Sequence, residues 1–204
     1  FAVSKALSMT VLKGVPSSFT LELPPYRRPQ IGKVIVRSIF DRTLFVLGRA
    51  AAVAAPAGLL IWLCANVQVG GDSILNWCTG FLDPFARLLG LDGVILMAFL
   101  LGFPANEIVI PIIIMAYLST GSLLEFDSLD ALRQLLVDHG WTWLTAVCTM
   151  LFSLMHWPCS TTCLTIGKET KSAKWTLLSI AIPTGTGMAV CFLVASAARL
   201  LGLA

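Results

Sequence analysis

The sequence predicts an all-α protein: a polytopic membrane helical domain whose helices are broken or re-entrant. Three observations carry that expectation. Hydrophobic residues fill 57% of the 204 positions and charged residues only 12%, about half the charged share of soluble domains. The apolar residues come in long blocks of bilayer-crossing length rather than at the spacing of a soluble core. Two of those blocks are interrupted by prolines and polar groups, in "LLGFPANEIVIPIIIM" (Leu100–Met115) and "SLMHWPCSTTCLTIGKET" (Ser153–Thr170).

Other classes fall away on composition. A net charge of +3 is too small to point to nucleic acid. The six cysteines lie mostly inside apolar runs, so a secreted disulfide framework is not expected. No phosphate-binding loop of the Gly-x4-Gly-Lys-Ser/Thr type occurs.

Residues 1–43 read as a leading region. "FAVSKALSMTVLKG" looks like the end of a helix, and the chain is expected to be a fragment of a longer protein. The run "GVPSSFTLELPPYRRPQIGKV" holds Pro24 and Pro25, which exclude a helix, then Arg27, Arg28 and Lys33. "IGKVIVRSIFDRTLF" has helical apolar spacing with Lys33, Arg37 and Asp41 on another face, as an interfacial helix does.

Residues 44–204 form the membrane region. The first span is expected over about 44–65, with Arg49 near enough to its end to snorkel. "NVQVGGDSILNWCTG" reads as a polar loop and "FLDPFARLLGLDG" as a short interfacial helix. The second block, 93–119, is broken by Pro104 and Pro111. "GSLLEFDSLDALRQLLVDHG" is acidic, a loop carrying an amphipathic surface helix. The third block, 141–166, is broken by Pro158. Lys168, Lys171 and Lys174 follow, and the last span covers 175–201, where Pro183, Gly185 and Gly187 are expected to loosen or kink it.

Charge counts sides. Both basic clusters belong on the cytoplasmic face. If blocks one, two and three each crossed once, the second cluster would land outside. One block must return to the face it entered. A hairpin in block two, turning at 103–106, satisfies the count, and irregular backbone at that depth needs a cavity or protein around it.

The two interruptions hold the candidate site residues. Pro104 deprives the Leu100 carbonyl of its helical partner, and Pro111 does the same to that of Glu107. With Asn106 and the Glu107 carboxylate they offer hard oxygen ligands for a cation or a proton, since an intramembrane acid is costly unless it serves a function. The alternative is that Glu107 caps the following half-helix. In the second interruption Met155, Cys159 and Cys163 share a face if the helix survives Pro158, and His156 stands three before Cys159. Thioether, thiol and imidazole suit a soft or borderline transition metal. The alternative there is a kinked helix with small residues for packing. Paired discontinuous helices point to a transporter-type site, open to iron(II), manganese(II) or zinc(II).

"SSFTLELPPYRRPQ", "GFPANEIVIPIIIM" and "LMHWPCSTTCLTIGKETKSAKWT" resemble the membrane region of the ferrous iron transport protein B (FeoB) family over nearly the whole chain. The resemblance implies a C-terminal gate-type transporter core of a prokaryotic inner-membrane iron(II) importer. Cys159 matches the second gate cysteine and Glu107 the acid of an Ala-x-Glu segment, while Asn106 stands where many members have lysine. Fe2+ is then the transported substrate, and no permanently bound cofactor is expected. GTP and Mg2+ would belong to an N-terminal G domain outside this chain. The implied partners are membrane lipid, that G domain, a first gate region, a small Feo accessory protein and further copies of the chain. Alternatives of other classes are a carrier of another divalent metal or of an organic solute such as a nucleoside, and a membrane interaction module without transport of its own.

Overall fold

The computed structural model describes residues 2–10, 30–119 and 128–203. The Leu23–Pro24–Pro25–Tyr26 stretch, Arg27, Arg28, Glu125 and Asp127 lie outside the described residues, as do the side chains of Asp41, Arg42 and Arg49. The chain divides into two units, residues 1–41 and 42–204. The first holds α1 (Ala2–Met9) and α2 (Ile31–Arg37). A π-helical stretch, Ser38–Leu44, follows α2.

The second unit is built of helices. These are α3 (Phe45–Asn66), α4 (Ile74–Leu88), α5 (Gly93–Leu101), α6 (Val109–Leu118), α7 (Leu129–Asp138), α8 (Trp143–Met155), α9 (Ser160–Thr170) and α10 (Ala173–Leu200). A two-residue hairpin, Gln68–Val69 against Asp72–Ser73, joins α3 to α4. Its turn needs φ > 0 at both central positions, and Gly70 (69°) and Gly71 (99°) supply it.

The expected loop over 66–80 is half helix. Ser73 caps α4 by accepting the Asn76 N–H at 3.2 Å. From Ile74 the apolar residues Leu75, Cys78, Phe81 and Leu82 keep helical spacing. α4 and α5 then meet at a bend of 110°.

α10 is the one described helix that is by itself long and apolar enough to cross a membrane. Its 28 residues span about 42 Å at 1.5 Å each. Pro183 does not interrupt it. The hydroxyls of Thr184 and Thr186 donate to the carbonyls of Ile180 and Ile182 at 2.6 and 2.8 Å, holding the turns around the proline.

The second block is a hairpin. α5 and α6 lie against each other, with a short 3-10 turn, Asn106–Ile108, leading into α6. The open ends of the hairpin are tied together. Asp92 caps α5 through the Ile95 N–H at 2.6 Å, and its other oxygen accepts the Tyr117 hydroxyl at the end of α6. The Tyr117 oxygen in turn accepts the Trp141 indole N–H at 2.8 Å, and His139 stacks on the Tyr117 ring at 4.4 Å. The start of α8 thereby sits at the hairpin's open end. Trp143 donates to the Leu203 carbonyl at 2.8 Å, so α10 finishes there too.

Phe99, Ile95, Ile112, Ile113, Met115, Phe152, Cys148 and Cys191 are fully buried where α5, α6, α8 and α10 meet. The outer faces are apolar and bare: Leu177, Phe192, Leu193, Leu154 and Trp62 are all exposed. In a membrane protein such a surface faces lipid.

Candidate functional site

Both interruptions break the backbone, and the fold brings them together. α5 ends at Leu101, and Gly102–Ala105 forms the tip of the hairpin. A Cβ on Gly102 would stand 2.5 Å from Val109 Cγ2, so only glycine lets the returning strand of the hairpin close in here. α8 ends at Met155, and His156–Cys159 is non-helical before α9 starts at Ser160. The Ser160 N–H donates to the Phe103 carbonyl at 2.9 Å, and its hydroxyl reaches the Pro104 carbonyl at 3.5 Å. An unpaired N–H at a helix start thus meets the carbonyls that a broken helix leaves behind.

Cys159 is the N-cap residue of α9. Its sulfur lies 3.2 Å from the Thr161 hydroxyl and 3.1 Å from that of Thr162. This is the helix end where negative charge is favoured. Cys163 is buried one turn further on and donates its thiol to the Pro158 carbonyl at 3.4 Å.

His156 packs its ring 4.9 Å from that of Phe99. Its Nδ1 lies 2.8 Å from the Ser153 carbonyl and so carries the proton of the neutral ring. That leaves the lone pair on Nε2, which is buried with no hydrogen-bond partner, as is Trp157 Nε1 beside it. A buried, unpartnered imidazole nitrogen is costly unless something visits it.

Asn106 and Glu107 are exposed on the 3-10 turn that opens the α6 run. Glu107 lies in its first turn, the place of a helix-dipole partner. Two expectations need correction. Met155, Cys159 and Cys163 share no common helical face, because Pro158 ends the helix between them. Met155 instead packs on α10, where a Cβ on Gly187 would lie 3.0 Å from its own Cβ. The Leu100 carbonyl is not left free either: the chain tightens by a turn and it accepts the Phe103 N–H at 3.3 Å. Among the described residues no three His, Cys, Asp or Glu side chains converge as a ready cation cage. The structure joins the two interruptions through backbone, with Cys159, Cys163 and His156 on one side and the Asn106–Glu107 turn on the other.

Sequence reasoning missed Phe103 and the Asp92–Tyr117–Trp141 tie, and it read Gly187 as a loosening point of the last span rather than as a close contact with Met155. Phe103 and Gly187 act through contacts more than 25 residues away along the chain.

Residues 47–173 match the family profile described as "Gate: Nucleoside recognition", and residues 1–41 that described as "Ferrous iron transport protein B C terminus". The chain belongs to the FeoB family and carries its Gate region. Curated FeoB proteins align along almost its full length. The "Fe(2+) transporter FeoB" of Staphylococcus aureus (strain COL) is 30% identical over 203 residues, covering 95% of this chain and 29% of the relative. The FeoB of Synechocystis sp. is 26% identical, covering 95% of this chain and 30% of the relative. That of Methanocaldococcus jannaschii is 25% identical, covering 83% and 26%. The chain therefore spans about 29% of the length of the first of these FeoB relatives. No solved structure matches it.

Proposed function

We propose that this chain forms the C-terminal part of an iron(II) permease, and that the junction of its two broken segments is where the ion passes. The observation that carries the reading is the Ser160–Phe103 hydrogen bond at 2.9 Å. It ties the residue that follows Cys159, at the start of α9, to the tip of the α5–α6 hairpin, which supports a path through this junction. The curated relatives are named Fe(2+) transporters, which supplies the cargo and favours it over a nucleoside or other organic solute.

In this reading Fe2+ sheds part of its water at Cys159. The sulfur binds as thiolate, so capture releases a proton. Thr161 and Thr162 hold the sulfur in place, and the Nε2 lone pair of His156 is a nitrogen donor one short segment away. Cys163 is a second sulfur on the inner side. Met155 backs the segment rather than binding. Glu107 and Asn106 attract the cation to the hairpin tip.

The donors are spread rather than caged, which suits a transported ion that must leave again. Movement of either segment about the Ser160–Phe103 contact would change which side is open. The two basic clusters would face the cytoplasm of an inner-membrane, multi-pass protein. A GTP-binding domain, a first gate region, a Feo accessory protein and further copies of the protein would complete the machine.

The test is Fe2+ uptake into proteoliposomes by the complete protein. Cys159→Ser should lower uptake about tenfold or more with the protein still folded. Uptake at the parent rate would remove Cys159 from the path.

A further inference from the structure

A cleft of about 740 Å³ runs from the junction to the basic end of the molecule. Its inner end is formed by Phe103, Ser160 and Cys163, and its outer end by Lys168 and Lys171. Between them the walls are apolar, with Leu164 and Leu177. We infer that this cleft is a binding site for one anionic phospholipid, with its headgroup on Lys168 and Lys171 and an acyl chain along α9 and α10 toward Phe103.

Charge complementarity argues for the headgroup end. Neither Lys168 nor Lys171 makes an ion pair with any described residue, and Glu169, between them in sequence, does not line the cleft. Ser172 and Ala173, at the start of the 28-residue α10, line the same end, and Ser172 makes no side-chain capping bond. The start of a long helix, whose first N–H groups lack intrahelical partners, thus borders the headgroup end of the cleft.

Dimension argues for the acyl end. α9 has 11 residues, about 16 Å of rise, close to half of a hydrocarbon core about 30 Å thick. The cleft is thus about one leaflet deep, with its charge at the headgroup level. Leu164 and Leu177 are 46% and 65% exposed, so the walls open sideways to lipid rather than closing over a soluble ligand. A soluble metabolite would leave these apolar walls wet, and a cation would meet two lysines. The inference does not depend on the cargo of the junction.

The experiment is native mass spectrometry of the complete protein released from detergent, supplied with dioleoyl phosphatidylglycerol or dioleoyl phosphatidylcholine. The parent should retain one phosphatidylglycerol at least about fivefold more than phosphatidylcholine. Lys168→Ala with Lys171→Ala should abolish that preference, and Lys168→Arg with Lys171→Arg should keep it. Lys5→Ala with Lys33→Ala removes the same charge elsewhere and should also keep it. Leu164→Asn with Leu177→Asn should lower retention of both lipids. A preference that survives loss of both cleft lysines overturns the site. Displacement of phosphatidylglycerol by glycerol phosphate at equal concentration would overturn it as well, leaving an anion site without an acyl groove.

Discussion

At the residue scale, Cys159 and Gly187 carry opposite kinds of information. Cys159 sits where a helix begins, with two hydroxyls on its sulfur, and its chemistry is what counts. Cys159→Ser keeps the shape and removes the soft donor, so it should lower Fe2+ uptake while the thermal midpoint hardly moves. Thr161→Ala with Thr162→Ala leaves the sulfur but frees its rotamer, and a smaller loss, several-fold, is expected in the same assay. Gly187 matters for space alone. A Cβ there would lie 3.0 Å from the Met155 Cβ and 3.2 Å from its carbonyl oxygen. Gly187→Ala should therefore destabilise by about 1–3 kcal/mol, as overpacking does. Met155→Ala should give no rescue, because the atoms in the way are the ones that alanine retains. A thermal melt of the single and double variants checks this, and full recovery in the double would show that the side-chain tip was the obstacle.

At the element scale, the two broken segments act as one unit because an N–H of one satisfies a carbonyl of the other. Proline at the first position of a helix is tolerated, and Cys159 before it already has φ −59° and ψ 157°, the extended backbone that proline requires. Ser160→Pro thus suits the local backbone but removes the 2.9 Å bond to Phe103 and sets its ring carbon against that carbonyl, forcing the two segments apart. It leaves that carbonyl unpaired at a cost of about 1–3 kcal/mol. The expected outcome is a folded protein with a lower melting midpoint and altered Fe2+ flux. Ser160→Ala, which removes only the 3.5 Å hydroxyl contact, should behave as the parent. Equal melting of Ser160→Pro and the parent would mean that the segments are held together by packing alone. The breaks themselves were legible in the sequence, since Pro104 and Pro158 have unavoidable local consequences. Their hydrogen-bonded meeting was not, because it depends on how α8–α9 packs beside the α5–α6 hairpin. The loop expected before α4 was misread for a different reason. Asn66, Asp72, Ser73 and Asn76 made the stretch look polar, although the apolar spacing from Ile74 was helical all along.

At the largest scale, the contacts among the helices of the second unit define its two ends. The end of α3 and the end of α6 share a small cavity lined by Ala65, Gly71, Asp72, Met115 and Ser119. Asp92, Tyr117 and Trp141 join at that same end of the hairpin, and α10 ends beside Trp143. Lys168 and Lys171 lie at the far end of α9. α5 therefore begins and α6 ends at one end of the second unit, while α8–α9 and α10 run between its two ends. The consequence is a labelling pattern that a single crossing of 93–119 could not produce. With the native cysteines replaced, a cysteine at Gly71 and one at Asp130 should react with a membrane-impermeant maleimide from the same side of intact cells. A cysteine at Lys171 should react only after the membrane is opened. If Gly71 and Asp130 report opposite sides, the second block crosses, and the hairpin reading fails. The tie that closes the hairpin can be stressed in the same preparation. Tyr117→Phe strands the Trp141 indole N–H and one Asp92 oxygen, at a cost of about 1–3 kcal/mol. It should lower the melting midpoint without changing which side each cysteine reports, because orientation is set by the lysines and arginines and not by this contact.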